Sequence, residues 1–175
     1  MLTLLRIALI PLLIAVYFSS MQYAMPIASV IFGIAGLTDL LDGYLARKLN
    51  QTSDFGAFLD PVADKLIVTC ALVIVVYRHP TMTVLIPALI IIGREITVSA
   101  LREWMAGLGN RSKVSVSYLG KIKTFVQIIA IILLLWYYPL MGISIFETGK
   151  WLLFLAAALT VISMIDYLRA AFRSE

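Results

Sequence analysis

Thr38-Asp39-Leu40-Leu41-Asp42-Gly43-Tyr44-Leu45-Ala46-Arg47 and, after Lys48 to Phe55, Gly56-Ala57-Phe58-Leu59-Asp60-Pro61-Val62-Ala63-Asp64 form the junction between two long apolar runs. Within it, Asp39 and Asp42 stand three residues apart and Asp60 and Asp64 four apart. On helices, those spacings project each pair of carboxylates from one face. A hairpin that turns in the polar stretch between them brings the two pairs together at one end of two neighbouring helices.

Outward from this junction the chain is apolar almost throughout. Of its 175 residues 62% are hydrophobic and 14% charged, with a mean hydropathy of +0.99, whereas soluble domains carry roughly 25% charged residues. An integral membrane protein is expected. A span takes roughly 20 apolar residues, so this length accommodates about six spans and no separate soluble domain. Apolar runs divided by polar breaks predict helices over 2–19, 24–47, 60–77, 82–105, 120–138 and 149–170. The expected fold class is an all-α polytopic membrane protein, a single domain over 1–175 with six transmembrane helices and a metal site at the cytoplasmic ends of helices 2 and 3. Pro11, Pro26 and Pro87 are compatible with spans, because neighbouring helices satisfy freed backbone groups. The first run has Arg6 as its charged flank and no small-residue cleavage site between Ser19 and Ala24, so a retained helix is expected rather than a signal peptide.

The formal charge is +4, from 14 basic and 10 acidic side chains. Arg6, Arg47, Lys48, Arg102, Arg111, Lys113, Lys121, Lys123, Arg169 and Arg173 fall on one side of the six runs, Arg78 and Lys150 on the other, and Lys65 and Arg94 inside helices. The basic side, with both termini and the aspartate junction, is expected in the cytoplasm. Such a distribution answers to loop topology and anionic lipid, and no nucleic-acid partner is expected. With Cys70 the sole cysteine and His79 the sole histidine, the chain has neither an intramolecular disulfide nor a Cys/His zinc site. A Ser-His-Asp triad would have to use His79, which sits in the polar break Arg78-His79-Pro80 and reads as a loop residue.

Four carboxylates at a bilayer edge oppose one another's ionisation unless positive charge lies between them. Lys65 and Arg47 cannot neutralise all four, whereas two divalent cations can, and an all-oxygen ligand set suits Mg²⁺ or Mn²⁺ rather than zinc. Asp39, Asp42, Asp60 and Asp64 are the candidate ligands. Gly43 lies on one helix stripe with Asp39 and Arg47, leaving bare backbone where a ligand can approach and Arg47 facing a metal-bound phosphate. Each piece also has a structural reading. Asp60-Pro61 matches an N-cap followed by proline at the first helical position, Gly43 matches a helix-packing glycine, and Arg47-Lys48 matches a topology signal. The four acids together favour the metal site.

From Asp39 to Asp64 the chain fits, at all eight specified positions, the pattern D-x-x-D-G-x-x-A-R-x8-G-x3-D-x3-D. It thereby resembles the CDP-alcohol phosphatidyltransferases, and the hydropathy of the whole chain is similar to that family's six-helix core. Gly56 to Lys65, Arg94-Glu95-Ile96, Ser99-Ala100-Leu101-Arg102-Glu103-Trp104 and Gly120-Lys121-Ile122-Lys123-Thr124 are similar to the bacterial branch of the family that uses glycerol 3-phosphate. The resemblance implies transfer of a phosphatidyl group from CDP-diacylglycerol to the 1-hydroxyl of sn-glycerol 3-phosphate with release of CMP, at the bacterial inner membrane. It implies Asp39, Asp42 and Asp60 as metal ligands, Asp64 as ligand or general base towards the acceptor hydroxyl, and Gly43 and Arg47 as contacts to the CDP portion.

The pattern alone does not choose the acceptor, since members of the family use serine, inositol phosphate, phosphatidylglycerol, choline or ethanolamine. Glycerol 3-phosphate brings a dianionic phosphate, which Arg94, Arg102, Arg111, Lys113, Lys121 and Lys123 would surround, although Lys113 to Lys123 also matches a plain positive-inside loop. Arg94 precedes Arg102 by eight residues, which on a helix puts it about 12 Å deeper. An arginine at that depth faces a polar cavity or pairs with an acid, here an aspartate or Glu95. The resemblance favours Lys121 and Lys123 for the phosphate. A transporter or magnesium channel would string acids along a path through the membrane, whereas these crowd one edge and the middle of the fifth and sixth runs is uncharged. A purely structural membrane protein has no use for four aspartates at this spacing. Cardiolipin synthesis of the phospholipase-D type needs two histidine motifs, and the oligomeric state is left open, with a homodimer as one expectation.

Overall fold

The computed structural model describes residues 2–49, 54–107, 118–140 and 142–172; for Asp39, Asp42, Gly43, Arg47 and Lys121 the described part is the backbone. Among the described residues six helices follow one another: α1 Leu2–Tyr17, α2 Ala24–Leu49, α3 Asp54–Arg78, α4 Met82–Gly107, α5 Tyr118–Trp136 and α6 Ile145–Phe172. Met82–Met105 and Ile145–Ile165 are each long and apolar enough to cross a membrane, and Thr3–Tyr17, Ala24–Thr38 and Ile122–Trp136 are shorter apolar stretches. Over the described residues this is an all-helical membrane protein.

Helix ends depart from the sequence expectation where local capping chemistry intervenes. α3 starts at Asp54, six residues before the expected position, so Asp60-Pro61 is not its N-terminus and Pro61 sits inside the helix. α6 starts at Ile145 instead of 149. Ser144 caps it: the Glu147 amide donates to Ser144 Oγ at 3.4 Å and the Thr148 amide to the Ser144 carbonyl at 3.2 Å, a Ser-x-x-Glu start in which Glu147 also pairs with Lys150 at 2.6 Å. α5 stops at Trp136 because Tyr137 takes a left-handed backbone conformation with φ of 65°.

Small residues set the helix spacing. Ala28 and Ala35 of α2 are fully buried, a Cβ on Gly36 would lie 3.4 Å from Ile128 Cγ2 of α5, and Ser29 Oγ donates to the Ile132 carbonyl at 2.8 Å. Gly149 of α6 is tighter still, its absent Cβ lying 3.0 Å from Leu133 Cβ and 3.1 Å from the Leu134 amide nitrogen. Such close approaches are how membrane helices gain packing energy where burial of apolar surface gives none. Hydroxyls in the helices satisfy themselves on their own backbone, as in Thr38 to the Ala35 carbonyl and Thr160 to the Ala156 carbonyl. The core runs through Leu13, Phe32, Leu72, Val75, Ile91, Ile131, Leu134 and Leu153, while Leu5, Val30, Val73, Leu89, Phe125 and Ile162 form an apolar exterior.

Contacts at the two ends fix the helix directions. Phe18 packs on Tyr77 at 5.4 Å, and His79 lies between Tyr137 at 5.0 Å and Phe146 at 4.3 Å. This end therefore gathers the finish of α1, α3 and α5 and the start of α6. His79 is packed in an aromatic cluster there and takes no part in the site at the opposite end.

Candidate active site

The opposite end gathers the starts of α1, α3 and α5 with the later turns of α2, α4 and α6. Thr3 and Arg6, one turn apart on α1, face Asp60 and Asp64, one turn apart on α3. Thr3 Oγ1 donates to Asp60 Oδ1, and Arg6 Nη1 donates to Asp64 Oδ1 in an ion pair. Arg6 is buried. A guanidinium taken out of water needs a charged acceptor, so this pair fixes how α1 docks on α3.

Across from the aspartates, α4 supplies Arg94, Glu95 and Arg102, and α5 supplies Lys123 and Gln127. Lys123 Nζ donates to Glu95 Oε1, and Arg94 reaches the same oxygen through Nη1 at 3.4 Å while its Nη2 donates to Ser163 Oγ of α6 at 3.2 Å. Lys65 Nζ donates to Ser99 Oγ, tying α3 to α4. These side chains enclose a cavity of about 410 Å³, floored by Phe32, Ala35 and Gly36 of α2. Among the described residues its charged lining comprises five cations, Arg6, Lys65, Arg94, Arg102 and Lys123, and the three carboxylates of Asp60, Asp64 and Glu95. Cations in a partly desolvated cleft attract an anion, and the two aspartates on one wall offer oxygen ligands to a hard cation.

The sequence-derived candidates divide accordingly. Asp60, Asp64, Arg94, Arg102 and Lys123 come together on this cavity. The side chains of Asp39, Asp42, Gly43, Arg47 and Lys121 lie outside the described residues. Their backbones do not: α2 runs antiparallel to α5, with Ser29 beside Ile132 and Gly36 beside Ile128, so the turns from Asp39 onward continue towards the start of α5. Among the described residues no three of His, Cys, Asp and Glu form a metal-sized cluster, which leaves Asp60 and Asp64 as the described carboxylates of the expected ligand set.

Comparison with known proteins bears on the chemistry of this cleft. The family model described as CDP-alcohol phosphatidyltransferase matches residues 1–162. The chain belongs to the CDP-alcohol phosphatidyltransferase family. It is 52% identical over 171 residues to a protein of Haemophilus influenzae named CDP-diacylglycerol–glycerol-3-phosphate 3-phosphatidyltransferase, covering 97% of this chain and 90% of that one. Proteins of the same name from Salmonella choleraesuis and Escherichia coli are 49% and 48% identical over 171 residues, each match covering 98% of this chain and 92% of the relative.

In this phosphatidyltransferase several residues on the cavity or bonded to its lining escape a reading of the sequence. Thr3 and Arg6 read as the edge of an apolar run, Gln127 and Ser163 as neutral positions in spans, and Glu95 only as one option for Arg94. A polar residue inside an apolar run is the signal that could have found them, since it needs a partner wherever it is buried. Lys123, expected at the acceptor phosphate, is buried and paired with Glu95, a contact the sequence did not indicate.

Proposed function

We propose that this protein transfers the phosphatidyl group of CDP-diacylglycerol to the 1-hydroxyl of sn-glycerol 3-phosphate, giving phosphatidylglycerophosphate and CMP. The observation that carries the reading is the cavity itself, with Asp60 and Asp64 on one wall and the cations Arg94, Arg102 and Lys123 on the others. Relatives sharing about half their residues with nearly the whole chain bear the name of that activity, and the whole chain is read as one catalytic domain.

Asp39, Asp42, Asp60 and Asp64 would hold two Mg²⁺ or Mn²⁺ ions. The fit is chemical: Asp60 and Asp64 share a face of α3 on the cavity wall, and their contacts, a hydroxyl and a guanidinium, are donors that hold a carboxylate oriented. When bound, the ions supply positive charge for the entering and leaving oxygens of phosphoryl transfer. Asp64 takes the proton of the acceptor hydroxyl, and Arg6 holds that carboxylate in place. Gly43 and Arg47 contact the CDP portion from the last turns of α2. Arg94, Arg102, Lys121 and Lys123 receive the acceptor phosphate, with Glu95 bracing Arg94 and Lys123 from behind.

The six helices are read as six spans of the bacterial inner membrane, with both termini and the cavity on the cytoplasmic face. Arg6, Arg102 and Lys123 support this orientation by sharing one end of the bundle, away from Arg78. The experiment is an assay of purified protein in detergent with labelled CDP-diacylglycerol and a panel of acceptors. Product is expected with glycerol 3-phosphate, whereas turnover of free serine or inositol phosphate in its place would reassign the acceptor.

A further inference from the structure

Gln127 stands one turn beyond Lys123 on α5 and lines the cavity. Its side chain is buried, 3% exposed, and its Oε1 has no hydrogen-bond partner among the described residues. A buried amide oxygen left without a donor is unfavourable. None of the described donors that share its cavity reaches it: Lys123 is held on Glu95, Arg94 on Glu95 and Ser163, Lys65 on Ser99, and Thr124 on the Gly120 carbonyl. A molecule that fills the cavity is placed to supply the donor.

That requirement discriminates among the parts of the two substrates. The phosphate oxygens of donor and acceptor are chiefly acceptors, and the carboxylates of the site accept. The ribose hydroxyls and cytosine amino group of the CDP portion are donors, but the function proposed above puts that portion on Gly43 and Arg47, whereas Gln127 stands one turn from Lys123 of the acceptor phosphate. The attacking hydroxyl of the acceptor loses its proton in the reaction. The hydroxyl on the middle carbon of glycerol 3-phosphate keeps its own, sits one carbon from the reacting oxygen, and is a neutral donor matched to a neutral amide oxygen. Building on the function proposed above, we infer that Gln127 is a specificity-determining residue that accepts a hydrogen bond from the 2-hydroxyl of glycerol 3-phosphate.

The inference separates from the function on which it rests by the choice of acceptor. 3-Hydroxypropyl phosphate keeps the phosphate and the attacking hydroxyl and lacks only the middle one. Wild-type protein should use glycerol 3-phosphate with a kcat/KM about ten- to a hundredfold above that for the analogue, because the analogue leaves Gln127 Oε1 without a donor. In Gln127→Leu that preference should collapse to within about threefold, mainly through a raised KM for glycerol 3-phosphate, with the KM for CDP-diacylglycerol unchanged. Gln127→Met, nearly the same size, gives the same reading if the leucine variant does not fold. A wild-type preference below about threefold overturns the inference without any variant, as does a preference retained in both variants. A raised KM for CDP-diacylglycerol with the acceptor preference intact overturns it too, by assigning Gln127 to the donor. Absence of turnover on glycerol 3-phosphate by wild type would contradict the function itself, a different result.

Discussion

Lys123 Nζ on α5 donates to Glu95 Oε1 on α4, so a buried ammonium of the cavity is held by a carboxylate that also lies 3.4 Å from Arg94 Nη1. One acid braces two cations. Glu95→Gln keeps the shape and removes the charge, which is worth about 1.5–3 kcal/mol for a charge-assisted hydrogen bond, or one to two powers of ten in affinity. The KM for glycerol 3-phosphate is expected to rise by about tenfold or more, with that for CDP-diacylglycerol nearly constant. A lower melting temperature with both constants unchanged would reduce the brace to a structural pair.

Asp64 accepts from Arg6 and faces the cavity. As the base towards the acceptor hydroxyl, it acts in the chemical step, so Asp64→Asn should lower kcat by several powers of ten while changing donor affinity little. Steady-state kinetics set beside direct binding of CDP-diacylglycerol separate the possibilities. A parallel fall in donor affinity would assign Asp64 chiefly to metal ligation.

Two glycines make a matched test of the packing. A methyl on Gly149 would meet Leu133 Cβ at 3.0 Å and the Leu134 amide nitrogen at 3.1 Å, and backbone cannot yield as a side-chain tip can. Gly149→Ala is expected to destabilise the protein by about 1–3 kcal/mol, read as a lower melting temperature in detergent. Gly93 has nothing within 4 Å of its missing Cβ, so Gly93→Ala should leave the melting temperature unchanged or raise it. Equal effects of the two would contradict the close α5–α6 contact.

The orientation is tested by cysteine labelling in a Cys70→Ala background, Cys70 being the sole native cysteine. Ser112→Cys should react with a membrane-impermeant reagent only when the cytoplasmic face is exposed, and Glu147→Cys only from the other face. The reverse pattern would put the cavity on the side away from the cytoplasm.

How much of this was legible in the sequence follows from what hydropathy encodes. The six helices were legible, as were the aspartate pairs, because both are one-dimensional spacings. Helix ends were missed where a single residue decides them, as Ser144 does by capping α6 and Tyr137 by adopting a positive φ. The pairs Thr3–Asp60, Arg6–Asp64 and Lys123–Glu95 were not legible. They depend on how each helix is rotated about its axis. A helix that is apolar all round, facing lipid on one side and core on the other, carries little periodicity from which to read that rotation. Arg94 shows the same limit: its depth could be computed from its position, while its engagement by both Glu95 and Ser163 required the packing of α4 on α6.

The central claim is that the aspartate-lined cavity transfers a phosphatidyl group with divalent metal and glycerol 3-phosphate. The most direct measurement is CMP release from CDP-diacylglycerol by purified wild type, Asp60→Asn and Asp64→Asn, with and without glycerol 3-phosphate, after EDTA treatment and again after adding Mg²⁺ or Mn²⁺. CMP and phosphatidylglycerophosphate should appear in equal amounts only for wild type with both acceptor and metal present, and each asparagine variant should lose most of that activity. Full turnover of the EDTA-treated protein, or of either variant, would contradict the account.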